Sequence, residues 1–286
     1  MGMLTGIKAN KAYRAQQKGD TAEAIRLYEE CFNEGLNDPR FILSYAVLII
    51  RDGQYQKAKD FLVKHQKAPG MSDEQRVNLI VDYAACVYRL GDLDKAILKL
   101  EEIQRSKGVR SLIYQTLGYL YVEKYQEGNR EAFLRAERDR AATAAAAIPA
   151  DENAGAAEGA PAPGPDPEAE NGLTPEEAWE AGKEMALKFN QDAVAYDDED
   201  AVCLDNLGQT YYRVLGDKAA AREWFEKAIA QKEGQIDTLY FLSRYDLEAG
   251  DKAAAREKLE KAAEGRFSPL NYVTKEAIEA EIAALR

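Results

Sequence analysis

The sequence predicts an all-α fold made of about six stacked helix-turn-helix hairpins, and three observations predict it. Glycines recur at 19, 53, 91, 216 and 250, and the intervals 19 to 53 and 216 to 250 are both 34 residues. Five residues after each comes an alanine: Ala24, Ala58, Ala96, Ala221 and Ala255. Ahead of these turns, an aromatic residue or leucine stands beside a small one, as in Tyr45-Ala46, Tyr83-Ala84, Leu117-Gly118, Leu207-Gly208 and Leu242-Ser243.

Each feature has a physical reason. Gly-Asp at 19–20, 91–92, 216–217 and 250–251 marks the turn within a hairpin. Glycine takes the left-handed conformation that ends the first helix. The aspartate then caps the free N–H groups of the second. Small residues, including Cys31, Ala228 and Ala262, let the two helices approach closely. Larger ones, Tyr28, Leu62, Leu100, Phe225 and Leu259, fill the space to the next hairpin.

The pattern resembles the tetratricopeptide repeat, in the form of a bacterial-type scaffold. Leu207-Gly208, Tyr211, Gly216, Ala221, Phe225 and Ala228 match best, with one extra residue within 213–215 that shifts the turn. Lys11 stands where a bulky residue is usual, and the proline between repeats is mostly missing. The resemblance implies a right-handed superhelical solenoid over 8–268. Its units are 8–37, 39–70, 77–108, 111–125 plus 175–198, 201–234 and 236–267.

The fourth unit is interrupted. Gly118 lies 34 residues after Ala84, so 112–124 reads as a first helix. The matching small residue of its second helix is expected 12 positions on, yet the clean match is Ala186, 68 residues away. Residues 126–174 therefore read as an insertion: two helical arms with a tip at 149–172 too poor in apolar residues to order itself. Long loops are tolerated because closure entropy grows slowly with length. Residues 130–147 are Ala-rich and helical, prolonging the first helix or following a break near Gly128. Thr174-Pro175-Glu176-Glu177 starts the returning helix, which carries Trp179. Taking 130–147 as the second helix instead breaks the alternation before unit five. Residues 269–286, with Thr274 as cap and Ile278 and Ile282 on one face, predict a capping helix.

Composition narrows the function. Thirty-eight Lys and Arg face 50 Asp and Glu, a net charge of −12, which argues against nucleic acid. No apolar run suits a signal peptide or a membrane span. Cys31, Cys86 and Cys203 are few and scattered, so a reducing cytoplasm and packing roles are expected. His65 has no catalytic or metal partner motif and reads as packing. Asp197-Asp198-Glu199-Asp200 lacks the alternation of a calcium loop and reads as capping. No catalytic or nucleotide motif occurs, so neither an enzyme nor a cofactor or metal site is predicted.

What is left is surface. The family geometry implies that first helices line a concave face. The inward positions are Tyr13, Gln16 and Gln17; Leu43, Val47, Ile50 and Arg51; and Val81, Tyr88 and Arg89. Further along they are Gln115 and Tyr119; Asp205, Asn206, Gln209, Tyr212 and Arg213; and Tyr240 and Arg244. Tyr and Arg carry much of the energy of protein interfaces. The expected function is a non-enzymatic adaptor that holds a neutral or basic protein or peptide segment in the groove. The family's carboxylate clamp is not expected: Asn206 and Arg244 match part of it, but its lysines are missing. One alternative is a homo-oligomer formed through the arms with Phe133, Leu134 and Trp179. Another is a non-catalytic subunit of an enzyme complex.

Overall fold

Helical hairpins follow one another along the chain in a computed structural model that describes residues 3–147 and 172–285. The tip predicted at 149–172 lies almost wholly outside the described residues. The first hairpins are α1 (Met3–Gln17) with α2 (Thr21–Asn33), α3 (Pro39–Arg51) with α4 (Tyr55–His65), and α5 (Asp73–Arg89) with α6 (Leu93–Lys107). Next come α7 (Ser111–Tyr125), α8 (Arg130–Ala147) and α9 (Pro175–Tyr196). The last are α10 (Ala201–Gln209) with α11 (Lys218–Gln231), α12 (Ile236–Glu248) with α13 (Lys252–Ala263), and then α14 (Lys275–Ala284). Among the described residues there is no strand.

The turns form as the residues dictate. Gly19, Gly91, Gly216 and Gly250 all have φ between 71° and 93°. Asp20, Asp92, Asp217 and Asp251 each accept a hydrogen bond from the backbone N–H three residues on. One such cap contributes about 1 kcal/mol. Gln54, which replaces the aspartate after Gly53, makes no such bond. In the acidic run, Asp200 Oδ1 accepts from the N–H groups of Val202 and Cys203 and so starts α10.

An inner row forms from α1, α3, α5, α7 and α10, each touching the next, with the second helices outside. Beside α7 lies α9, and α8 packs against α9 in turn. A single 3-10 turn at Glu127–Asn129 breaks the chain before α8. Trp179 and Leu134 are buried, and Trp179 packs on Phe133 and Tyr125 at centroid distances of 5.2 and 5.8 Å. His65 packs between Phe61 and Phe32. All three cysteines are buried and unpaired.

The extra residue of unit five has a definite home. α10 passes into a π-helical turn, Thr210–Val214, which absorbs it before Gly216. That turn buries Arg213. Ile278 of α14 is buried against Leu259, Ala262 and Ile236. Between α13 and α14, residues 264–274 are irregular, and the N–H groups of Tyr272 and Val273 donate to Asp237 of α12.

Candidate functional site

The inner row encloses a cavity of about 500 Å³. α3 supplies Val47, Ile50 and Arg51, α5 supplies Val81 and Asp82, and α7 supplies Leu112, Gln115 and Tyr119. α10 adds Asp205 and Asn206. The opposite wall is the 232–237 turn and the segment 266–271. Eight residues expected on the concave face, Val47, Ile50, Arg51, Val81, Gln115, Tyr119, Asp205 and Asn206, thus meet in one cavity. Asn206 Nδ2 donates to the Gln115 carbonyl at 2.8 Å, and Gln115 Nε2 donates to Asp200 at 2.6 Å. These bonds fix α7 to α10. Arg89 lies in a smaller adjoining cavity of about 220 Å³ with Arg51 and Tyr55.

The other expected positions lie elsewhere. Tyr13 and Gln17 are exposed on α1 and line neither cavity, and Leu43 packs on the core between the first hairpins. Tyr88 stands behind Tyr119, its hydroxyl 3.0 Å from Glu123. Gln209 and Arg213 are sealed in a buried polar network. Arg213 donates to Gln209 at 2.7 Å, Glu123 at 2.6 Å and Gln126 at 2.8 Å. Tyr212 packs among Phe225, Phe241 and Tyr245. Tyr240 and Arg244 both reach Glu281 of α14. Two features account for the departures of Tyr212, Arg213, Tyr240 and Arg244: the π turn re-aims 210–214, and α14 takes the last two through Glu281.

Acidic side chains set the electrostatics. Burial pushes the Asp82 carboxyl up to about 7, with Arg51 pulling it back. Asp205 accepts from Thr238 at 2.5 Å and Gln209 at 2.7 Å. Burial raises its carboxyl well above the usual range, and the nearby Asp237 carboxylate raises it further. Asp237 is also raised by burial, against the opposing pull of its donors. Those donors are the N–H of Tyr272 at 3.0 Å, Asn271 Nδ2 at 3.1 Å and the N–H of Val273 at 3.3 Å. Sequence reasoning missed the roles of Asp82 and Asp237. Asp82 follows Val81 on α5 but falls outside the inward positions that the repeat pattern implies. Asp237, in the first turn of α12, reads as an ordinary dipole-facing acid.

A stack of helical hairpins around an inner cavity defines a helical-repeat solenoid. Residues 201–230 match the family model of the tetratricopeptide repeat. No curated protein matches it by sequence. Among solved structures it is similar to a thermophilic tetratricopeptide-repeat protein of Thermus thermophilus, with TM-score 0.56 and 16% identity over 87% of this chain and 98% of that one. It is also similar to PilW, a widely conserved type IV pilus biogenesis factor, with TM-score 0.55 and 11% identity over 99% of this chain and 100% of that one. At these identities the likeness is one of fold. No described helix is long and apolar enough to cross a membrane.

Proposed function

We propose that this protein is a non-enzymatic cytoplasmic adaptor that holds a neutral or basic protein segment in its concave groove. One observation carries the reading: separate helices converge Val47, Ile50, Val81, Leu112, Tyr119, Gln115 and Arg51 on a cavity of about 500 Å³. That mixture offers apolar burial together with directional polar groups, the combination that binding sites use. Asp82, Asp205 and Asp237, which line the same cavity, favour a partner without excess negative charge. Residues 126–174 are an insertion within the fourth unit in this reading. Self-association through the arms draws no support from Leu134 and Trp179, which are buried within the subunit.

The test is capture from lysate of the source cells by the intact chain and by a Val47→Asp, Arg51→Glu variant, read by mass spectrometry. A protein retained by the first and reduced at least tenfold by the second, with unchanged circular dichroism, is the expected result. Equal retention by both baits contradicts the groove reading.

A further inference from the structure

The groove already holds a ligand-like segment, and it belongs to the chain itself. Between α13 and α14, Phe267–Val273 is irregular, and its residues 268–271 line the cavity. The segment is turned rather than extended: the Asn271 N–H donates to the Ser268 carbonyl at 3.2 Å. Asp237 accepts two successive main-chain N–H groups, from Tyr272 and Val273, and the Asn271 side chain. The Tyr272 ring stacks on Phe241 at 5.2 Å and 23°, and the Arg213 guanidinium lies 3.9 Å from its centroid. Leu270 packs on the core cluster built by α5, α6, α7 and α9. Ser268, Pro269 and Asn271 line both cavities, so the segment divides what is otherwise one groove.

Val273 is buried in the cluster with Ile236, Leu259 and Ile278, but ahead of it the anchoring is partial. Tyr272 remains 40% exposed, and Leu270 is only partly buried. The N–H groups are gripped by a single carboxylate. Asp237 sits in the first turn of α12, and its place there does not depend on the segment.

We propose that Phe267–Val273 is a tethered ligand of the groove, displaced by a partner segment offering the same chemistry. That partner is a peptide able to turn in the same way, with an aliphatic residue two positions before an aromatic one, like Leu270 and Tyr272. Its main chain presents consecutive N–H groups to Asp237, and its aromatic ring enters the slot beside Arg213 and Phe241. The proposal rests on the groove reading. It adds that affinity for a partner is set by competition with the tether, because the two exclude each other at Asp237.

The experiment uses the full-length chain and a fluorescein-labelled synthetic peptide, RFSPLNYVT, copied from residues 266–274. In one variant, Leu270→Gly, Asn271→Gly and Tyr272→Gly release the tether and leave α14 in place. The released variant is expected to bind the peptide at least tenfold more tightly than the unaltered chain, measured by fluorescence anisotropy. Adding Asp237→Ala is expected to abolish that gain. Equal binding by the unaltered and released chains, both folded by circular dichroism, overturns the proposal. If the released variant does not fold, hydrogen exchange on the unaltered chain decides. Tyr272 and Val273 amides exchanging well ahead of those in α12 and α13 support a releasable tether. Exchange only with global unfolding overturns it. A partner captured through the groove, but equally by the unaltered and released chains, leaves the groove reading standing and rejects the tether.

Discussion

Asp82 shows how one residue connects the groove to stability. Its carboxyl titrates at about 7 in the folded chain, against an ordinary value of 3.8. The folded state therefore holds a proton that the unfolded state has released between about pH 4 and 7. Stability from this group is fully present below about 4, falls as pH rises, and is gone above about 7. Asp82→Asn removes the buried charge. The variant is expected to gain about 1 kcal/mol or more at pH 8, since a tenfold change in the proton equilibrium is worth about 1.4 kcal/mol. The gain is expected to shrink toward zero near pH 4. Denaturant unfolding of both proteins from pH 4 to 8 checks this, and a pH-independent difference contradicts it. Reading the difference curve matters, because Glu34 and Glu177 are shifted down and contribute the opposite slope.

Helix spacing is where the sequence was most legible. A glycine with positive φ followed by an aspartate that caps the next turn is a local event, and local chemistry is written in adjacent residues. The same holds for the capping box at Thr174 and Glu177. Contacts between distant elements were harder to read. Gly118 and Gly208 were legible as small positions, whereas Gly182 gave no periodic signal. A Cβ on Gly182 would lie 2.0 Å from the Tyr125 ring, so α9 reaches α7 only because that position has no side chain. Gly182→Ala pits a helix-propensity gain of about 1 kcal/mol against overpacking of about 1–3 kcal/mol. The ring is hemmed in by Phe133 and Trp179. A net loss of about 1–2 kcal/mol in thermal unfolding is expected, and a gain contradicts the packing account. The π turn was half legible: the sequence showed the surplus residue, but not that Arg213 would be drawn into the buried network with Glu123.

At the scale of the molecule, the repeat pattern supplied the fold but not the path of its end. Superposing one unit on the next places Tyr240 and Arg244 on the groove, and they belong there only if nothing follows. Here α14 takes both through Glu281, and the segment before it lines the cavity and binds Asp237. No periodicity encodes that contact, because it happens once. In the middle of the row, α3, α7 and α10 bring Val47, Ile50, Arg51, Gln115, Tyr119 and Asn206 to one cavity.

The most direct test of a concave-face adaptor places a photo-activated cross-linking amino acid at Val47, inside the cavity, and separately at Leu98, 61% exposed on α6 of the outer row. Irradiation in the source cells, followed by mass spectrometry, is expected to join a partner protein to position 47 and not to position 98. Cross-links at 98 alone, or the same partner at equal yield from both positions, would contradict the groove as the place of binding.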